Sequence, residues 1–480
     1  MNSLVPSSND FYSLLPILIL TISAILFLVL PLIVSSKNHI LIQALAIVSV
    51  LVAFYFNFNL TEYVPVGKYF NGQIKVDPSS IYLNNIYLLF TLIFLIAGPK
   101  ALTKLHIAFS EFYPLLLFAT VGMMFMASGN DLLVLFLGIE ILSISLYILI
   151  GLGRTVISSL EGALKYFLLG AFSSGFLLLG IAFLFGSSGS TNLELSLQEL
   201  HTNGYLSNYS RIGLGFFLVG LFFKIGLVPF HSWAPDVYEG SPSPLSGFMS
   251  SAVKYAALAL LLVFFAKILN GPKKEFWIHV TGLLAFLSMT FGNIIALRQQ
   301  SLKRILAYSS NAHSGYVAAG IVSGAYVEVF YYLVFYGLAS FLAFLLISYL
   351  ESEKSQLGLE SIHGLFLSHP FVSIGLTVCF LSLASLPPFG GFWSKLFLFQ
   401  KLAETNTDFS IFLLVSGVIN SAIAFLYYFR IPIAIFMSNS SEGSKEKFPL
   451  DNGLLFVGFL IVLFLLLGSF YFSPNDILTK

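Results

Sequence analysis

The sequence predicts an all-α polytopic membrane protein that crosses a bilayer many times, and three observations carry that prediction. Of 480 residues only 9% are charged, against about 25% in soluble domains. Hydrophobic residues make up 57% and aromatics 16%, with 51 Phe, and mean hydropathy is +0.91, more apolar surface than a water-soluble fold of this size could hide. Finally, about fourteen stretches reach the roughly 20 apolar residues that a helix rising about 1.5 Å per residue needs to cross about 30 Å of hydrocarbon.

In chain order the predicted spans lie at 11–34, 40–57, 79–98, 112–129, 131–152, 162–186, 211–231, 243–269, 276–297, 302–323, 327–350, 371–400, 409–436 and 453–472. Runs such as Ile17 to Val34 do not alternate apolar with polar residues, which excludes a membrane barrel. No Lys or Arg precedes the first run, which is long enough to span, so it reads as a membrane helix rather than a cleaved signal. The polar stretches 186–210 and 438–452 are too short for a separate soluble domain, so one membrane domain is expected over 1–480. Loops on one side hold 11 basic residues (Lys37, Lys100, Lys104, Arg154, Arg298, Lys303, Arg304, Lys354, Arg430, Lys445 and Lys447), and the side of the termini holds 8 (Lys68, Lys75, Arg211, Lys267, Lys273, Lys274, Lys401 and Lys480). The positive-inside rule therefore places both termini outside.

Composition also excludes functions. A net charge of +1 gives no basis for binding nucleic acid, which needs several phosphate contacts. The lone Cys379 can form neither an intrachain disulfide nor the usual four-thiolate iron–sulfur site. No histidine pair has metal-ligand spacing, His363 and His369 read as loop residues, and no metal is expected. No GxxxxGK[ST] or strand-linked GxGxxG is present, so no ATP or NADH site is read in this chain.

Two apolar segments are interrupted, the seventh at Pro229 and the twelfth at Pro387-Pro388, and Ser250-Ser251-Ala252-Val253 recurs faintly as Asn420-Ser421-Ala422-Ile423. Proline-broken helices in matching positions point to inverted-repeat transporters with a site near the breaks. Once the charged residues towards the span ends are assigned to loops, the Lys and acidic residues left within or directly beside the apolar runs are Glu140, Glu161, Lys165, Lys224, Lys254 and Lys395. Each costs about 2.5–3.5 kcal/mol at mid-bilayer and is retained only if it pairs, reaches water or works. Taking such groups out of water penalises their charged forms, which makes proton exchange accessible near neutral pH.

Glu140 has no other charge between Asp131 and Arg154. It reads as a proton site or the partner that tunes one, with a structural ion pair as the alternative. Lys224 precedes Pro229 by five residues, and Lys395 follows Pro387-Pro388, so each break carries a Lys beside it. A freed backbone group needs a partner or water, which points to hydration there, against a simple kink with a snorkelling Lys. Lys254 lies among Ala252, Val253, Ala256 and Ala257, which leaves room for packing or water, again with snorkelling as the alternative. Glu161 and Lys165 stand at i and i+4 in the favourable order, equally readable as a surface pair. His231 and His313 fall close to spans and titrate near neutrality without help.

The stretch from Phe223 to Gly240 reads FKIGLVPFHSWAPDVYEG and is followed by Lys254. With Asn130-Asp131-Leu132-Leu133 leading to Glu140, Glu161 to Phe167, Leu302 to Ser310 and Ser385 to Lys395, it resembles the subunit N family of bacterial NADH:quinone oxidoreductase, the respiratory complex I. The resemblance covers most of the chain and is densest from 130 to 400. It implies fourteen helices, with inverted five-helix repeats over helices 4–8 and 9–13 and broken helices 7 and 12. The matching divisions are 1–110 for the first three helices, 111–270 and 271–437 for the repeats, and 438–480 for the last loop and helix. The resemblance also implies a polar mid-membrane axis of Glu140, Lys224, Lys254 and Lys395, a tenth-helix histidine at His313, and a sixth-helix pair at Glu161 and Lys165. Two departures stand out: Asn311 where an apolar residue is usual, and Ser368-His369 where basic residues precede Pro370.

What the resemblance implies is a proton-translocating, non-redox subunit in a bacterial inner membrane. Its partners would be lipid, protons and the other membrane-arm subunits, with NADH, FMN, iron–sulfur clusters and quinone bound by partner subunits and no cofactor here. A subunit of a multi-subunit cation/proton antiporter or of a membrane-bound hydrogenase is the alternative. Lys395 argues against the related subunits L and M, which are expected to carry an acid there. An independent transporter of small anions using the broken helices, or a scaffold, are rivals of other classes.

Overall fold

The computed structural model describes residues 6–33, 39–104, 110–154, 156–198, 206–269, 274–351, 357–437 and 452–474. Each predicted span coincides with helix: α1 (Leu15–Ile33), α2 (His39–Phe58), α3 (Pro78–Ala97), α4 (Phe112–Ser128), α5 (Leu132–Gly151), α6 (Ile157–Ser188), α7 (Leu206–Ile225), α8 (Ser243–Ile268), α9 (Lys274–Leu297), α10 (Leu302–Val322), α11 (Tyr326–Leu350), α12 (Pro370–Leu383) continued by α13 (Gly390–Thr405), α14 (Asp408–Met437) and α15 (Asn452–Tyr471). Among the described residues, 9 helices are long and apolar enough to cross a membrane, and α1, α4 and α12 are shorter apolar helices. The chain forms two compact units. One comprises Met1–Ile96, His106–Lys224 and Ala259–Lys274, the other Ala97–Leu105, Ile225–Leu258 and Glu275–Lys480.

In the first unit, small residues let backbones meet. A Cβ on Gly122 of α4 would lie 2.6 Å from the Gly138 carbonyl oxygen of α5. Lipid tails are as apolar as leucine, so such close backbone contact, more than hydrophobicity, packs membrane helices. A hairpin of β1 (Gly67–Tyr69) and β2 (Ile74–Val76), paired antiparallel with Lys68 opposite Lys75, adds to the all-helical expectation outside the spans. Asn130 holds its turn, donating N–H to the Gln73 carbonyl at 2.8 Å and Nδ2 to that of Gly72 at 3.0 Å. The next residue, Asp131, caps α5 by accepting the Leu133 N–H at 2.9 Å.

Glu194 takes an ion pair from Lys68 and another from Lys267 at 3.2 Å. The Lys68 hydrogen bond holds the Glu194 carboxyl below its ordinary range. A carboxylate depressed in the folded state stabilises above its unfolded value and loses that contribution as pH falls through the folded one. Protection of hairpin amides from hydrogen exchange should therefore decline on acidification below about pH 4, and Glu194→Gln should remove that step. Equal pH dependence in both proteins would refute the anchoring role.

In the second unit the polar side chains point inward. All of α10 except Arg304 and Tyr308 is buried, including Ser309, Ser310, Asn311, His313 and Ser314. Val415, Val418, Ile419, Phe456 and Phe459 of α14 and α15 are exposed. Hydrocarbon reverses the soluble rule: polar groups are what must be hidden. α8 contains one π-helical turn, Met249–Val253, directly before Lys254, a device frequent at functional sites.

Candidate functional site

The first unit carries Glu140 and Lys224. On α5, Glu140, Ser143 and Tyr147 stand at i, i+3 and i+7 and so share a face. Lys224, in the last turn of α7, donates to Ser143 Oγ at 2.7 Å and to Tyr147 Oη at 3.2 Å. Its Nζ also stands 5.7 Å and 6.0 Å from the ring centres of Tyr147 and Tyr166. Glu140 accepts from Ser174 Oγ at 2.5 Å and interacts electrostatically with Lys224, with no direct ion pair between the two among the described residues.

The second unit opens on the first break. The helix ends at Ile225, Gly226 takes φ +77°, and residues 226–232 form a turn before the short helix Trp233–Gly240. The freed backbone finds partners: the Ile225 carbonyl accepts from Ser314 Oγ at 3.3 Å, and the Val228 N–H donates to Ser288 Oγ at 2.8 Å. Pro229 and His231 lie in this turn. His231 is half-buried, and its Nδ1 has no hydrogen-bond partner among the described residues.

Lys254 is 2% exposed, which removes the snorkelling alternative. It donates to Ser310 Oγ at 2.5 Å, with Asn311 Oδ1 at 3.5 Å. His313 is held on both ring nitrogens, Nδ1 2.5 Å from Tyr332 Oη and Nε2 3.0 Å from Tyr428 Oη, and stacks on Tyr336 at 4.6 Å. Across the second break, Pro387 and Pro388 lie in the turn between α12 and α13, and Gly391 N–H donates to Ser382 Oγ at 3.2 Å. Lys395 is 4% exposed. Its Nζ has no hydrogen-bond partner among the described residues and stands 4.2 Å from the centre of the Tyr316 ring. A small cavity beside this break is lined by His313, Tyr332, Tyr336, Ser382, Ser385 and Ser394.

One chemical theme unites both units. The hydrogen-bond partners of Lys224, Lys254 and His313 are hydroxyls and an amide rather than carboxylates. A carboxylate only accepts, but a hydroxyl also donates. A Ser or Tyr can turn its hydrogen toward an amine or imidazole lone pair as readily as it accepts from an ammonium. Such surroundings satisfy these bases with or without their proton.

One sequence assignment needs revision, and one open alternative can be placed in the fold. Lys303, counted among loop cations, is buried and pairs with Glu351 at 3.1 Å, donating also to the Ser241 carbonyl at 2.8 Å. Glu161 and Lys165 do form the i,i+4 pair, at 2.7 Å, on an exposed face of α6, with side chains 59% and 42% accessible. The sequence reasoning also missed Ser143, Tyr147, Ser310, Tyr332 and Tyr428 as partners. Helical spacing from Glu140 could have found the first two; the others come from distant elements.

Residues 129–423 match the profile of the NADH:quinone oxidoreductase/Mrp antiporter transmembrane family. The chain belongs to that family. Glu140, Lys224, His231, Lys254, His313 and Lys395 all lie inside the matched segment. Within the NADH:quinone oxidoreductase/Mrp antiporter group, the NADH-quinone oxidoreductase subunit N of Leptospira biflexa serovar Patoc is 46% identical over 480 residues, covering 99% of this chain and 100% of that one. A chain of the respiratory complex I from Thermus thermophilus with bound aureothin superposes with a TM-score of 0.78 at 32% identity, over 95% of this chain and 97% of that chain. A chain of the Mrp complex from Dietzia sp. DQ12-45-1b shares the fold, with a TM-score of 0.82 at 17% identity over 98% of this chain and 95% of that one.

Proposed function

We propose that this chain is the proton-translocating, non-redox membrane subunit of an NADH:quinone oxidoreductase. Support comes from buried Lys254 and His313, held by groups that fit both protonation states, in a chain 46% identical end to end to a subunit N. NADH, flavin, iron–sulfur clusters and quinone then belong to partner subunits. The subunit sits in a bacterial inner membrane with both termini outside, against the other membrane-arm subunits.

Quinone reduction elsewhere in the assembly changes the field or geometry at Glu140. A nearby carboxylate favours the ammonium form of Lys224, and weakening that coupling releases the proton toward Lys254, His313 and Lys395 in turn. Each pKa unit of altered coupling is worth about 1.36 kcal/mol. Moving one charge against 100 mV costs about 2.3 kcal/mol, so swings of about two units cover the electrical load. His231 is proposed as a carrier at the first break. Glu161 and Lys165, exposed on α6, are proposed as an outer pair that biases this relay from the subunit's edge.

The test begins with mild solubilisation, native-gel separation and an NADH-dehydrogenase activity stain, with mass spectrometry of the stained band. This chain is expected in the active band, and Lys224→Ala vesicles are expected to lose NADH-driven proton uptake by about tenfold or more. Migration with antiporter or hydrogenase subunits and no NADH activity would favour that reading instead.

A further inference from the structure

Asn311 sits in the middle of α10 with no accessible surface. Its Oδ1 lies 3.5 Å from Lys254 Nζ, while its Nδ2 has no hydrogen-bond partner among the described residues. A fully buried amide with an unused donor is rare enough to call for a role. The same oxygen stands 3.0 Å from where a Cβ on Gly226 would lie. A side chain on Gly226, the residue directly after the end of the broken helix, would therefore crowd this amide. Ser310, the neighbour of Asn311, gives Lys254 its shorter contact.

We propose that Asn311 is a positioning residue for Lys254 that serves both of its protonation states. When Lys254 is an ammonium, an N–H donates to Oδ1. When Lys254 has lost its proton, a half-turn about the Cβ–Cγ bond presents Nδ2–H to the amine lone pair. The amide thus keeps Lys254 in one place through a cycle of proton loss and gain, and the unpaired Nδ2 is the donor held for the second half of that cycle. This inference rests on the reading of Lys254 as a proton carrier. Other titratable groups in reach of Lys254 are His231 in the turn after α7 and His313 on α10, and the Tyr238 and Tyr336 side chains lie near the same Ser310.

The experiment uses vesicles carrying the whole complex, with proton uptake per NADH oxidised followed as a function of pH. Val and Thr have nearly the same volume and differ in a hydroxyl. Asn311→Val is expected to cut the coupling ratio about tenfold and move its pH profile toward acid by about one unit, because the hydrogen bond lost from the ammonium is stronger than the one lost from the neutral amine. Asn311→Thr should stay within about twofold of the parent. Asn311→Asp, isosteric but able to carry charge, should hold the Lys254 proton more tightly and move the profile the other way. Equal behaviour of the Val and Thr proteins, with unshifted profiles, would reduce Asn311 to a space-filling residue. Should the Val protein fail to assemble, the Asp profile decides alone, and an unshifted one overturns the proposal. A parent complex that oxidises NADH without taking up protons would instead overturn the underlying reading, before any variant is examined.

Discussion

Lys395→Met is expected to stop proton pumping while raising the heat stability of the assembled complex. The two effects have opposite signs because the ammonium is poorly compensated: it is 4% exposed, without a hydrogen-bond partner among the described residues, and its close neighbour is the face of Tyr316 at 4.2 Å. A desolvated cation over an aromatic ring gains about 2 kcal/mol, less than the several kcal/mol that burying the charge costs. Met fills the same volume without that penalty. Pumping should fall by about tenfold or more if a proton must pause there. Proton uptake and thermal unfolding, measured on one preparation, check both halves. Full pumping by the Met variant would remove Lys395 from any relay.

Lys303→Ala should destabilise the subunit by about 3–5 kcal/mol, because it strands Glu351 in a buried site. Both side chains of that pair are 11% accessible, and Glu351 keeps one neutral donor, Ser243 Oγ at 2.7 Å. The expected result is loss of the subunit from the assembled complex. Lys303→Met combined with Glu351→Leu should recover most of it, since an apolar pair of similar volume removes the charge that was stranded. A single variant as stable as the parent would show that water reaches the pair.

The membrane spans were legible in the sequence because hydrocarbon thickness imposes one long apolar run per crossing, and runs as plain as Leu132 to Gly151 leave no other reading. The break after Lys224 was legible for a related reason: Pro229 cannot continue a helix, and the helix indeed ends at Ile225. Lys254 and Lys395 were conspicuous because so few charges stand in apolar surroundings. Their partners were not. Ser310, Tyr332 and Tyr428 are ordinary helix residues in sequence, and only tertiary packing brings them to Lys254 or His313. The hairpin at Gly67–Val76 was hidden by its three-residue strands, too short to show an alternating pattern. Lys303 looked like a loop cation because it opens α10, and its partner Glu351 follows the far end of α11.

The inward polarity of α10 has a consequence for how the protein is made. Its buried face holds Ser309, Ser310, Asn311, His313 and Ser314 with Lys303 at its start, and it is absent from the helices apolar enough to cross by themselves among the described residues. During synthesis the insertion machinery partitions each emerging segment by its own hydrophobicity. α10 therefore gains little by entering the bilayer alone, whereas the strongly apolar α11 that follows after a short turn enters readily. The polar helix is best delivered as the passenger of its neighbour. The polar residues packed inside the finished protein are those that make this helix depend on company while the ribosome is still at work.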